Sequence, residues 1–479
     1  MFKLSRHLIF FIAALCFSNV AFAAGAGDAP HLPSAELGLI WIVPFAGILL
    51  SIALFPLFAH DFWEANLGKI SAFWAASLLI PMVIQYGFAI TSYELIHTYL
   101  LEYIPFIILL FALFTITGGI ALKGSLAGTP MLNTIILIIG TIIASWMGTT
   151  GAAMLTIRPL LRANEGRKNK VHIVVFFIFL VANVGGSLTP LGDPPLFLGF
   201  LKGVDFFWTT TNMFSPMLLV AGILITVFYC ADTFLYRREI AAGHKPFANI
   251  EHGVPLALEG KGNLLLLLGV IGAVLLSGSW DSGVHFSIYH VEVALEAVTR
   301  DILLLVLAGI SIALTAKSTR EANQFNWFPI EEVALLFAGI FVTIIPAIRI
   351  LSAGTEGAMS GVIDLVSNPD GTPNNVMYFW LTGILSGFLD NAPTYLVFFN
   401  TAGGDAEVLM NQDAITLLAI STGSVFMGAL TYIGNAPNFM VRSIANSNGV
   451  KMPSFFGYIV WSSIFLMPCF LLVTWVFFI

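Results

Sequence analysis

Gly186-Ser187-Leu188-Thr189-Pro190-Leu191-Gly192-Asp193-Pro194-Pro195-Leu196-Phe197 returns, at an offset of 242, as Gly428-Ala429-Leu430-Thr431-Tyr432-Ile433-Gly434-Asn435-Ala436-Pro437-Asn438-Phe439. Both glycines, the leucine, the threonine, one proline and the phenylalanine are identical. The same offset sets Gly148-Thr149-Thr150 against Asp390-Asn391-Ala392. Gly128-Thr129-Pro130 matches Gly371-Thr372-Pro373 at 243, and Leu109-Leu110-Phe111-Ala112 matches Leu335-Leu336-Phe337-Ala338 at 226. The change of offset is an insertion over 351–370. Shared Gly, Pro and Thr at fixed spacing mark a repeat, where apolar strings alone align by chance. Each copy reads as helix, loop, hairpin and broken helix.

The repeat sits in a chain of 479 residues that is 58% apolar and only 10% charged. A soluble domain carries about 25% charged residues, so most of this surface faces lipid. The 43 glycines, 22 prolines and 42 phenylalanines suit an integral membrane protein whose helices break under cover of protein or a cavity. A net charge of −7 with no basic tract excludes a nucleic-acid partner. Cys16, Cys230 and Cys469 lie far apart in apolar runs and suggest neither a disulfide framework nor a metal knuckle.

A spanning helix needs about 20 apolar residues. This predicts an all-α membrane protein with ten crossings near 37–59, 70–90, 102–122, 171–203, 213–236, 263–279, 301–316, 331–350, 414–446 and 457–479. Two further apolar stretches, 131–162 and 376–400, are interrupted by Gly148-Thr149-Thr150-Gly151 and Asp390-Asn391-Ala392-Pro393. They read as re-entrant hairpins, each entering and leaving on one side. At the amino terminus, Lys3 and Arg6 precede the apolar run Leu8 to Phe17, and Ala21-Phe22-Ala23 is a small-x-small cleavage site. Residues 1–23 therefore read as a signal peptide. The remainder divides into amino-terminal helices (24–100), a first repeat (101–236), a linker with scaffold helices (237–330) and a second repeat (331–479).

Basic residues orient this arrangement. With the mature amino terminus outside, fifteen of the 20 Lys and Arg fall in cytoplasmic segments, including Arg158, Arg162, Arg167, Lys168 and Lys170. Only Lys202, Arg300 and Arg349 fall outside, and two lie in the signal peptide. Counting either hairpin as a crossing would spoil the bias. The first hairpin then opens to the cytoplasm and the second outward, so the copies are inverted. Inverted repeats with broken helices are the mark of secondary transporters that alternate access around a midplane site. The bias implies a multi-pass protein of a bacterial-type inner membrane.

At each break, Pro removes a backbone donor and Gly relaxes the dihedrals, freeing carbonyls to coordinate a cation. Thr189 and Thr431 add hard oxygens, Gly192 and Gly434 lie within the breaks, and opposed helix ends supply partial charges. An ionised carboxylate at the bilayer centre costs at least about 2.5–3.5 kcal/mol. Asp193, in the first break, and Asp390, at the second hairpin tip, are therefore expected to host a proton or a metal ion in competition. The alternative is that each caps the helix that follows it. Asn391 and Asn435 read as ligands or orienters, or as amides satisfying freed backbone. Ser145, Thr149 and Thr150 read as ion ligands or packing hydroxyls. Glu331 and Glu332 suit a first helical turn after Pro329. No resident metal or cofactor spacing is present, and Na⁺ and H⁺ are expected only as cargo.

Asn183-Val184-Gly185-Gly186-Ser187-Leu188-Thr189-Pro190-Leu191-Gly192-Asp193-Pro194, Leu389-Asp390-Asn391-Ala392-Pro393 and Gly428 to Asn438 together resemble NhaD-type sodium/proton antiporters. That group belongs to the wider ion transporter superfamily, with its arsenite, citrate and dicarboxylate carriers. The likeness covers roughly 100–205 and 330–450. It implies a homodimer with a scaffold domain and an elevator-like transport domain carrying both hairpins. It implies one ion site at Ser145, Thr149 and Thr150 with Gly192 and Asp193, and a second at Asp390 and Asn391 with Thr431, Gly434 and Asn435. Gly148-Thr149-Thr150 departs from the relatives that carry Asn or Asp before the Thr.

Exchange of Na⁺ or Li⁺ for H⁺ is the first functional expectation, and a Na⁺- or H⁺-coupled carrier of citrate or a dicarboxylate is the alternative. Neither tips nor breaks contain Lys or Arg, and a dianion beside an ionised aspartate is repelled by several kcal/mol at an effective dielectric of about 20. Bound Na⁺ could offset that repulsion. An enzyme is not expected: the Gly-x-Gly-Asp motif of an intramembrane aspartyl protease would need glycine where Pro190 stands.

Overall fold

The computed structural model describes residues 30–244 and 255–479. The signal peptide reading of residues 1–23 lies outside the described residues. The chain is an all-α integral membrane protein, with nine helices among the described residues long and apolar enough to cross a bilayer. Its only strands among the described residues are short antiparallel ribbons in loops, Ala121–Lys123 with Ala257–Glu259 and His285–Ile288 with Val291–Ala294.

The first hairpin consists of Pro130–Met147 and Thr149–Ala163, joined at Gly148 (φ 80°, ψ 147°). Thr129 caps its first arm by accepting from Leu132 N at 3.3 Å. Its two ends are fastened together: Gly128 N donates to Ala163 O at 2.8 Å, and Asn133 and Asn164 exchange side-chain hydrogen bonds of 3.0 and 2.7 Å. This closed base holds the two arms together as one hairpin. The second hairpin, Asn375–Leu389 and Asn391–Thr401, turns at Asp390 with nearly the same dihedrals (φ 86°, ψ 141°). Asn374 caps its entrance through Met377 N.

Both broken helices come apart where their Gly and Pro cluster. The first runs Val171–Leu180, a 3₁₀ turn at Val184–Leu188, then Pro194–Leu201. The second runs Ala414–Met427, a turn at Gly428–Leu430, then Ala436–Ser447. Their second halves exchange partners: Pro194–Leu201 packs on the arm Asn391–Thr401, and Ala436–Ser447 packs on the arm Thr149–Ala163. The hairpins thus meet tip to tip between the two breaks. Val171–Leu188 is 89% buried, against 22% for Leu295–Leu314, whose Ile302, Val306, Ile312 and Leu314 point outward. The polar breaks therefore lie at the centre, and the apolar shell faces lipid.

One expectation needs correction. Crossings at 70–90 and 102–122 are two helices, but the boundary lies at Gly87 (φ 83°, ψ 166°). The second therefore begins earlier than expected and continues through a wide turn, Tyr99–Tyr103, into Ile104–Thr117. Residues 91–101 contain neither Gly nor Pro, and the polar groups that lower their hydropathy are satisfied inside. Buried Glu94 receives Arg349 Nη2 at 2.9 Å and Leu32 N at 3.1 Å.

One basic residue of the loop after the first hairpin is buried, where a charge count implies exposure. Arg167 is 2% exposed and spans Asp232 (Nη2 to Oδ1, 2.8 Å) and Glu239 (Nε to Oε2, 2.8 Å). His172 Nε2 lies 2.9 Å from the same Asp232 oxygen, and Asn133 donates to the other at 2.9 Å. Removing one member of a buried ion cluster strands its partners. Arg167→Ala should cost about 3–5 kcal/mol, seen as a large fall in Tm of the detergent-purified protein. A Tm unchanged within experimental error would contradict this role.

Candidate functional site

Four helices begin at one place. The residues immediately preceding them are Gly148, Asp390, Asp193 and Asn435, so four amino-terminal helix ends surround the meeting point of the hairpin tips. Each end carries about half a positive charge, although many of the first N–H groups are absent or engaged: Pro194, Pro195, Pro393 and Pro437 have none, Thr149 N donates to Gly192 O, and Leu196 N donates to Asp193 O.

Asp193 stands at the centre and is 2% exposed. Its side chain makes no bond to its own helix. Instead Oδ1 accepts from Thr149 Oγ1 at 3.1 Å and from Asn435 Nδ2 at 3.0 Å, while Oδ2 accepts from Asn391 Nδ2 at 2.5 Å. One carboxylate thus draws a donor from each hairpin tip and one from the opposite break. Thr149 and Asp193 in the first copy correspond to Asn391 and Asn435 in the second, so the quartet is the repeat closing on itself. Asp390 behaves otherwise: it caps its own arm, Oδ1 accepting from Ala392 N at 3.1 Å, and lines the cavity beside the quartet.

The remaining predicted residues divide into two groups. Thr150 and Gly192 line the cavity with the quartet. Ser145, Thr189, Thr431 and Gly434 brace the breaks against the hairpins. Ser145 Oγ donates to Gly185 O at 2.6 Å and accepts from Leu188 N at 2.9 Å. Thr189 Oγ1 donates to Ser145 O and accepts from Leu191 N at 3.2 Å. Thr431 repeats this with Gly387 O and Ile433 N, at 2.5 and 3.1 Å. A Cβ on Gly192 would strike Gly186 O, and one on Gly434 would strike Gly428 O, so both breaks require glycine there.

Sequence reasoning did not single out Asn183 and Asn438. Both are fully buried, and they tie the first break to the second: Asn183 Nδ2 donates to Asn438 Oδ1 at 2.7 Å, and Asn183 Oδ1 accepts from Asn435 Nδ2 at 3.3 Å. They are not equivalent in the repeat, so self-comparison does not flag them. A buried amide beside a Gly-rich break is the one signal available.

Above the quartet lies a cavity of about 400 Å³. Apolar walls come from Phe106, Leu113, Met147, Phe197 and Phe337, among others. Its mouth carries Glu64, Gln324, Asn326 and Ser443, all exposed, together with Arg158 and Glu332. Arg158 and Gln324 place that mouth on the face of the first hairpin's base and the basic loops. At the far end of the first broken helix, Lys202 Nζ pairs with buried Glu102 at 2.6 Å.

Comparison with known proteins agrees with this architecture. An uncharacterized transporter of Mycobacterium bovis is 22% identical over 336 residues, covering 68% of this chain and 72% of that protein. An uncharacterized transporter of Mycobacterium tuberculosis matches with the same identity and coverage. The family described as "Putative citrate transport" matches residues 34–478. With that match running through both hairpins and both breaks, the chain belongs to this family of multi-pass membrane transporters.

Proposed function

We propose that the protein carries citrate or a chemically similar di- or tricarboxylate, coupled to a monovalent cation that shares the same cavity. The convergence of four helix amino termini on a cavity of about 400 Å³ carries this reading. That volume suits a small organic ligand. Amino-terminal helix ends favour anions through their partial positive charge. The repulsion expected from Asp193 is reduced because three neutral donors already engage its carboxylate, and a bound Na⁺ or H⁺ would remove the rest. Thr149, Thr150, Asp193, Asp390, Asn391 and Asn435 are the proposed coupling and binding residues. Ser145, Thr189, Gly192, Thr431 and Gly434 hold the breaks open for them. The family description supports a carboxylate cargo over simple cation exchange.

Sodium/proton exchange is the second reading, favoured by one observation: the groups flooring the cavity include two acids, Asp193 and Asp390, and no base. Alternating access would come from movement of the hairpins and broken helices against Val43–Phe58 and Phe328–Thr343, within a homodimer in a bacterial inner membrane. Reconstituted vesicles carrying a pH-sensitive dye and radiolabelled citrate separate the readings. Citrate uptake driven by a Na⁺ or H⁺ gradient is the expected result. Proton movement on adding Na⁺ or Li⁺, with no citrate uptake, would replace it with exchange.

A further inference from the structure

Arg158 is the one cation lining the cavity among the described residues. Its Nε and Nη1 are buried without a hydrogen-bond partner, and Nη2 reaches only Gln324 Oε1, at 3.5 Å. Neither Nε nor Nη1 meets a carboxylate among the described residues, although Glu64 and Glu332 share the cavity wall. Glu332 instead accepts from Trp63 Nε1 at 3.4 Å. One turn further, Arg162 is fastened to Leu122 O at 2.7 Å and adds a like charge. An unpaired, partly buried guanidinium is costly, because its fork has lost water and gained nothing in return. Turned toward the cavity that Arg158 lines, that fork would match the planar, bidentate geometry of a carboxylate.

We propose that Arg158 captures a substrate carboxylate at the basic-loop mouth, as a waypoint separate from the quartet; this rests on the carboxylate reading above. Arg158 is nine residues along the helix that starts at Thr149, roughly 13 Å at 1.5 Å per residue. A molecule the size of citrate cannot hold both ends of that span at once. Arg158 therefore governs loading and release on one face, and the tips govern translocation.

The test uses membrane vesicles of both orientations and labelled citrate. With the basic-loop face outward, Arg158→Gln should raise the KM for citrate roughly 10- to 100-fold, the loss typical of hydrogen bonds to a charged group, with the maximal rate within about twofold of wild type. With the opposite face outward, KM should hold within about threefold, an asymmetry that a merely structural defect would not produce. Arg158→Lys keeps the charge, loses the fork and should fall between the two, which covers the case of a misfolded glutamine variant. A wild-type KM on the basic-loop face in either variant would overturn the assignment. Wild-type vesicles that take up no carboxylate at all would instead overturn the functional reading beneath it.

Discussion

Asp193→Asn should lower transport at least 100-fold while leaving a folded protein. The substitution removes the only charge in the quartet and puts an amide where both carboxylate oxygens accept. Thr149 can turn its hydroxyl to donate or accept. Asn391 and Asn435 present N–H groups, and Asn435 Nδ2 is also engaged by Ala182 O at 3.1 Å, so it cannot turn over freely. At least one N–H would then face another. Such a buried mismatch costs about 1–3 kcal/mol, a visible fall in Tm that most membrane proteins of this size survive. The transport loss has a different origin. Without the Asp193 carboxylate the quartet has no charge to hold the coupling cation, so cation dependence should vanish together with rate. Vesicle uptake as a function of Na⁺ and pH reads both. Near-normal, still cation-dependent uptake would remove Asp193 from the coupling site.

Asp390→Gly should separate stability from activity in the opposite sense. Asp390 holds φ 86° with ψ 141°, a region that side chains other than glycine rarely adopt, whereas its counterpart in the repeat is Gly148 at φ 80°. Such a residue stores about 1–3 kcal/mol of strain. Glycine releases that strain, and as a helix cap it gives up only a few tenths of a kcal/mol. The variant is therefore expected to melt a few degrees higher while losing most cation-coupled transport. Asp390→Asn, which keeps the strained backbone, should lose transport without the gain in Tm. A glycine variant less stable than wild type, or fully active, would show that the carboxylate is there for capping alone.

Much of this was legible in the sequence, for definable reasons. The repeat of Gly, Pro and Thr located both breaks and both tips because those residues constrain the backbone directly. Inversion is the expectation that the Lys and Arg bias adds. What sequence could not reach was pairing across the repeats. Asp193 reads on its own as a cap before Pro194, and only folding brings Asn391 and Asn435 against it from 198 and 242 residues away. Arg158 was counted as one more basic-loop charge, since nothing in its neighbourhood distinguishes a side chain turned into a cavity from one turned to water. The helix through 91–101 escaped for a similar reason: Glu94 lowers hydropathy, and its partner Arg349 is 255 residues distant.

The central claim is that a cation at Asp193 makes room for a carboxylate beside it. Thermodynamic linkage requires each to strengthen the other's binding by the same factor. Calorimetric titration of the purified protein with citrate, repeated over a series of Na⁺ concentrations and pH values, measures that factor without any transport step. Citrate affinity should rise about tenfold or more with Na⁺ or with falling pH, a coupling of the usual size, and Asp193→Asn should abolish the dependence. Citrate binding that is equally tight at every cation concentration would contradict the account.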